Sequence, residues 1–210
     1  MKTPSHSILR IALILASFAV LAACTQEHRV RIDPELYVRS QNFGQGQRIG
    51  LKVTDRRKQN AIYNEEMGPK TAVVGALNKV NIYPKGTVDD PIEEQIKEAL
   101  TTLGYVPVDE KQKADRTMEV QILQLRMLYS YEDPKIKIPE KKVRLHAALG
   151  VVAQKGERKF KKLYKTHLDK SQNLLTGEVK NEQFINDGLS MTLQKIFEDR
   201  ALLLFLSPEG

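Results

Sequence analysis

Val143-Arg144-Leu145-His146-Ala147-Ala148-Leu149-Gly150-Val151-Val152-Ala153 is the stretch that decides the fold. Val143, Leu145, Ala147, Leu149, Val151 and Ala153 share one parity, the period of a strand with one buried face. Gln154-Lys155-Gly156-Glu157 reads as a turn, and Phe160, Tyr164 and Leu168 line a return strand. Together they predict a long antiparallel hairpin.

Upstream, Arg116 to Tyr131 reads as a long strand. Met118, Val120 and Ile122 keep one phase, and Leu123, Leu125, Met127, Tyr129 and Tyr131 keep the other. Two readings of that slip stand, a β-bulge at Ile122-Leu123 or a strand briefly buried on both faces. Further back, Ile49, Leu51 and Val53 alternate as a first strand. Thr71–Val74, Val80–Tyr83 and Tyr105–Val108 read as short ones. The spacing of Ile92, Ile96, Ala99, Leu100 and Leu103 predicts a helix, with Asp90 as N-cap and Gly104 closing it. Downstream, Asn181 is placed to cap a second helix through Phe184, Ile185, Leu189, Leu193, Ile196 and Phe197. The apolar run 202–206 extends that helix or forms a short one of its own. The expectation is an α+β fold, a mostly antiparallel sheet with two helices packed on one face.

The N-terminus has a different character. Lys2 and Arg10 precede an uncharged apolar run, Ile11 to Leu21, and Ala22-Ala23 lead to Cys24, the one cysteine of the chain. The run is shorter than the roughly 20 residues that a membrane span requires, so it reads as a cleaved signal. The small-small-Cys site resembles the bacterial lipobox, which implies a signal peptide at 1–23, lipidation of Cys24 and membrane attachment through its acyl chains. In such proteins an aspartate after the cysteine marks inner-membrane retention. Thr25 stands there instead, so the resemblance implies the outer membrane, facing the periplasm. Residues 24–46, polar and broken by Asp33-Pro34, read as the lipidated cysteine and a tether, and 47–210 as a single domain. Leu36-Tyr37-Val38 is the part of the tether placed to dock on the body.

The leader holds two cations and no acid, so the formal charge falls from +7 to about +5 on its removal. With Cys24 lipidated, no thiol remains for a disulfide, a metal or a nucleophile. The chain has no Gly-x-Ser-x-Gly elbow, Walker loop or His-Glu-x-x-His helix. Gly44-Gln45-Gly46 with Gly50 misses the dinucleotide spacing and precedes a strand. His146 and His167 fall on opposite arms of the hairpin, but two histidines make a poor zinc site, and no metal or cofactor is expected. The acids Asp89-Asp90 and Glu93-Glu94 suit a helix N-terminus.

Two features carry a binding hypothesis. Between Lys135 and Lys170 lie twelve Lys/Arg against three acids. Lys159, Lys161 and Lys165 share a parity with His167, Phe160, Tyr164 and Leu168 share the other, and Lys162 is grouped with the three lysines as a binding candidate. The four lysines form either a solvated, aggregation-resistant edge or a contact for an acidic protein, peptidoglycan or anionic lipid. Nucleic acid is excluded by the compartment and by the lack of interleaved stacking aromatics. The second feature is Asp55-Arg56-Arg57 at the end of the first strand, where Asp55 acts as a turn cap or pairs with Arg57 in a binding site.

Val53-Thr54-Asp55-Arg56-Arg57, Leu103-Gly104-Tyr105, Ala114-Asp115 before a long Leu-rich strand, and Asp199 before Leu204-Phe205-Leu206 occur in this order behind the lipobox. In this the chain resembles the YajG family of bacterial outer-membrane lipoproteins. That resemblance implies the location and fold and no established enzymatic activity. It does not extend to the lysine-rich hairpin or the long loop after Arg57. The expected function is a non-enzymatic periplasmic interaction module, anchored through Cys24, that contacts an envelope protein or peptidoglycan. The alternatives are an envelope hydrolase using Asp55, Arg57 and His167, or a carrier with an apolar cavity between sheet and helices.

Overall fold

The computed structural model describes residues 26–63, 80–109, 112, 114, 116–131, 141–172 and 177–208. The leader, Cys24 and the strand expected at Thr71–Val74 lie outside the described residues. The strands are β1 (Gln26–Val30), β2 (Arg48–Asp55), β3 (Val80–Pro84), β4 (Val106–Asp109), β5 (Arg116–Tyr131), β6 (Lys141–Lys155) and β7 (Arg158–Gln172). The helices are α1 (Asp89–Thr102), α2 (Glu178–Phe197) and α3 (Arg200–Leu206).

The hairpin forms as the alternation predicts. Lys155 stands opposite Arg158 across a turn whose Gly156 has φ +58, and the pairing continues in register to Lys141 and Gln172. β5 joins β6 antiparallel, with a register shift between Ile122 and Gln124 that leaves Leu123 as the extra residue. The phase slip is therefore a bulge. Gly150 makes room for it, since a Cβ there would come 3.1 Å from Leu123 Cδ1.

The sheet as a whole departs from expectation. Its order is β4-β2-β5-β6-β7, and β2 is parallel to both β4 and β5. It is mixed, not mostly antiparallel, and among the described residues three helices rather than two accompany it. The cause is α1, which returns the chain from the far end of β2 so that β4 runs in the same direction, the crossover that parallel pairing requires. The alternation of Ile49, Leu51 and Val53 specifies a buried face and carries no information about strand direction. A separate pair, β1 and β3, is also parallel. Ile62 and Tyr63 link this pair to the main sheet, because Ile62 N donates to Ile82 O and Met127 N donates to Ile62 O, both at 2.8 Å.

One face of the main sheet holds the core. Ile49, Leu51, Met118, Val120, Leu145 and Leu149 pack there with Ile92, Ile96 and Leu100 of α1 and Ile185, Leu189, Leu193 and Ile196 of α2. The apolar run 202–206 forms α3 and buries Leu202, Leu203 and Leu206, with Phe205 against Phe160 at a ring separation of 5.8 Å. Gly104, at φ +82, closes α1 as expected, and Tyr105 N donates to Leu100 O at 3.0 Å. Two caps differ. Asp90 lies inside the first turn of α1 and accepts from the Thr87 hydroxyl at 2.6 Å. Asn181 lies inside α2, buried, with its side-chain nitrogen 3.2 Å from His28 Nδ1.

The largest difference is at the N-terminus. From Gln26 onward the stretch read as a tether belongs to the body. His28, Val30, Ile32 and Pro34 are buried, while Glu27, Arg29, Arg31, Asp33 and Glu35 between them are exposed. Beyond β1 the chain lies as a strap along α2. Arg31 N donates to Glu182 Oε2 at 2.7 Å, Asp33 N to Asn186 Oδ1 at 2.9 Å, and Glu35 N to Ser190 Oγ at 2.9 Å. Two extended residues advance about 6.6 Å and four helical residues about 6 Å, so every second N–H meets the next helical turn. Gly44 and Gly46 then clasp the end of α1, donating to Leu103 O at 2.8 Å and Gly104 O at 2.7 Å.

Candidate functional site

Among the described residues no helix covers the other face of the main sheet, and alternation along β7 decides which lysines stand on it. Lys159, Lys161 and Lys165 are exposed there with Leu163 and His167, opposite in parity to buried Tyr164 and Thr166. Lys162 points the other way. Its Nζ lies 2.7 Å from Asp199 Oδ2, which also accepts from the Tyr164 hydroxyl at 2.6 Å, while Asp199 Oδ1 caps α3 at Ala201 N. Burial works to raise the Asp199 pKa, but the hydrogen bonds from Lys162 and Tyr164 overcome it and the net shift is downward. Lys162 is thus part of a structural cluster and not of the open face.

Asp55 and Arg57 close on each other. Arg57 Nη2 donates to Asp55 Oδ2 at 2.7 Å, its Nε to Oδ1 at 3.0 Å, and its backbone N to Oδ1 at 3.0 Å. The Arg57 side chain is only 4% exposed. Burial raises the Asp55 pKa and the bonds from Arg57 outweigh it, leaving the carboxyl below its ordinary value. This pair folds the loop after β2 back over the open face.

Between that loop and the sheet runs a groove of about 650 Å³. Arg56, Arg57, Lys58, Arg126 and Lys165 line it, together with Leu123 and Leu163, and neither Asp55 nor His167 is among the described lining residues. Leu123 is 41% and Leu163 46% exposed, so an apolar floor lies between cationic walls. Arg126 Nε is buried and has no hydrogen-bond partner among the described residues. Arg56, Lys58 and Arg126 did not emerge from the sequence as site residues. The bulge at Leu123 inverts the parity of β5 and turns Arg126 onto the open face.

Beside the groove, His146 and His167 stand opposite each other with ring centroids 4.5 Å apart, edge to face. Burial, then the neighbouring His167, Arg126 and Arg144, hold the His146 pKa below its ordinary value against the opposing pull of Asp169. Among the described residues no third His, Cys, Asp or Glu completes a metal-ligand set with them.

A family model described as uncharacterized lipoprotein matches residues 34–207. The chain belongs to this family of lipoproteins. No curated protein matches it. Solved structures similar to this lipoprotein include a protein from Xanthomonas campestris, at 12% identity over 83% of this chain and 93% of that one, with a TM-score of 0.47. A minor lipoprotein from Acinetobacter baumannii is similar at 13% identity over 78% of this chain and 98% of that one, with a TM-score of 0.40. Among the described residues of the lipoprotein, no helix is long and apolar enough to cross a membrane.

Proposed function

We propose that this chain is an outer-membrane lipoprotein of the YajG type, attached through acylated Cys24 with its body in the periplasm. In this reading it acts by holding an acidic envelope partner on the open sheet face, and not by catalysis. The observation that carries the proposal is the groove, in which Arg56, Lys58, Arg126 and Lys165 surround an apolar floor, the fifth cation, Arg57, being held by Asp55. An acidic protein segment or peptidoglycan carboxylates would complement these cations, and charge complementarity of this kind sets encounter rate and specificity. The hydrolase reading loses support because the Asp55 carboxylate is spent on Arg57.

The test is photo-crosslinking in living cells, with probes at Leu163 and Lys165 and a control at Leu204 on the far side of the fold. One envelope component recovered from the first two positions and not from Leu204 is the expected result. At the Leu163 probe, replacing Lys159, Lys161 and Lys165 by glutamine should abolish that adduct without changing stability. Equal adducts from all three probes, or adducts indifferent to the substitutions, refute the assignment of this face. Lys162 is left intact because its ammonium serves Asp199.

A further inference from the structure

Cys24 is separated from Gln26, the first residue of β1, by Thr25 alone. Whatever path those residues take, they span no more than about 7 Å. With lipid on Cys24, the end of the body where β1 begins is therefore held at the membrane surface. That end can be identified from contacts. His28 meets Asn181, which places the start of β1 at the N-terminus of α2. α2 runs antiparallel to β7, since Gly188 lies against Leu145 and Leu168 while Lys195 Nζ reaches Lys165 O at 2.7 Å. The N-terminus of α2 consequently lies at the open end of the hairpin, where Lys141 pairs with Gln172 and Val143 with Lys170. The turn at Gly156 is at the opposite end, about 45 Å away along fourteen strand residues.

We propose that the lipoprotein stands end-on, with the open end of its hairpin and the N-terminus of α2 on the anionic phospholipid headgroups of the leaflet that holds its acyl chains. The proposal rests on lipidation of Cys24. The chemistry of this end suits a lipid surface. Lys170 and Lys180 lie at this end, both exposed, and Val179 beside Lys180 is 79% exposed. Among the described residues at this end, Glu27 is paired with Arg29 and Asp169 with Arg144 at 3.2 Å, and Glu178 precedes Val179 and Lys180. Basic side chains within a Debye length of an anionic leaflet are drawn to it.

Because Cys24 is the sole cysteine and carries the lipid, a second cysteine can be labelled selectively. The full acylated protein carrying Val179→Cys or Glu157→Cys would be labelled with a fluorophore. It would then be reconstituted in vesicles of phosphatidylethanolamine and phosphatidylglycerol containing a headgroup-bound spin quencher. Quenching at position 179 should exceed that at 157 at least fivefold. Replacing Lys170 and Lys180 by glutamine should at least halve the quenching at 179. Equal quenching at both positions of acylated, vesicle-bound protein overturns the end-on arrangement and leaves the anchored reading intact. Quenching at 179 that ignores the substitutions overturns the role of the lysines. Mass spectrometry showing Cys24 without acyl chains overturns the anchored reading and this proposal together.

Discussion

Ile32→Ala discriminates a packed strap from a tether. Ile32 is 4% exposed and lies in the core with Val30 and Ile82. The substitution removes three buried carbons, a transfer loss of about 2.4 kcal/mol at roughly 0.8 kcal/mol each. The hydrogen bonds from Arg31 N and Asp33 N on either side hold the backbone in place, so the site collapses little and a cavity cost adds to the loss. Buried Ile→Ala changes fall in a range of about 2–5 kcal/mol, and about 3 kcal/mol is expected here. The assay is equilibrium urea denaturation of residues 24–210 with Cys24→Ser, followed by circular dichroism. At a slope of roughly 2 kcal/mol per molar urea the midpoint should fall by about 1.5 M. Asp33→Ala is the control, because its side chain is more than half exposed and its N–H bond to Asn186 survives. A loss below about 0.5 kcal/mol for Ile32→Ala, the range of ordinary surface changes, would show that residues 26–38 do not pack as described.

Asp199→Asn removes the charge that Lys162 and Tyr164 share and should cost about 2 kcal/mol at neutral pH. Since the folded-state pKa of Asp199 lies below the ordinary 3.8, the advantage of the native residue is complete above about pH 5 and shrinks as pH falls through the folded pKa. Parallel stability–pH profiles for the two proteins would contradict that linkage. Gly44→Ala would place a Cβ 2.4 Å from the backbone nitrogen of Tyr105, which has no room to yield. A loss of about 3 kcal/mol is expected in the same urea assay, and a neutral result would mean that the clasp on α1 does not form.

How far the sequence revealed the fold depended on whether a local pattern was enough to specify it. The hairpin was legible because an unbroken alternation over Val143–Ala153 specifies both a strand and its buried face. The bulge was legible as one of two readings, and Gly150 opposite Leu123 is what makes room for it. The parallel placement of β2 was not legible, since direction is set by where α1 returns the chain. The strap was written in the sequence as the alternation His28, Val30, Ile32, Pro34, Leu36, Val38. Its intervening charges and Asp33-Pro34 resembled a linker, yet an extended segment beside a helix needs no internal ladder, and proline suits it. In the candidate site, the parity read for Lys159, Lys161 and Lys165 is that of the open face, whereas Lys162, grouped with them, turns to Asp199. Arg56, Lys58 and Arg126 join them only through the loop that Arg57 folds back and the parity that Leu123 inverts.

The strap also has a mechanical consequence. A pull on the N-terminus reaches the body at Gln26 and acts along the axis of β1. The bonds from Arg31, Asp33 and Glu35 lie across that axis, as does the pairing of β1 with β3. Force therefore loads these bonds together in shear instead of opening them one at a time. It passes directly into α2, the longest helix among the described residues, and from there into the hairpin. Pulled from this end, the domain would move as a rigid body, and its first strand would be among the last parts to give way.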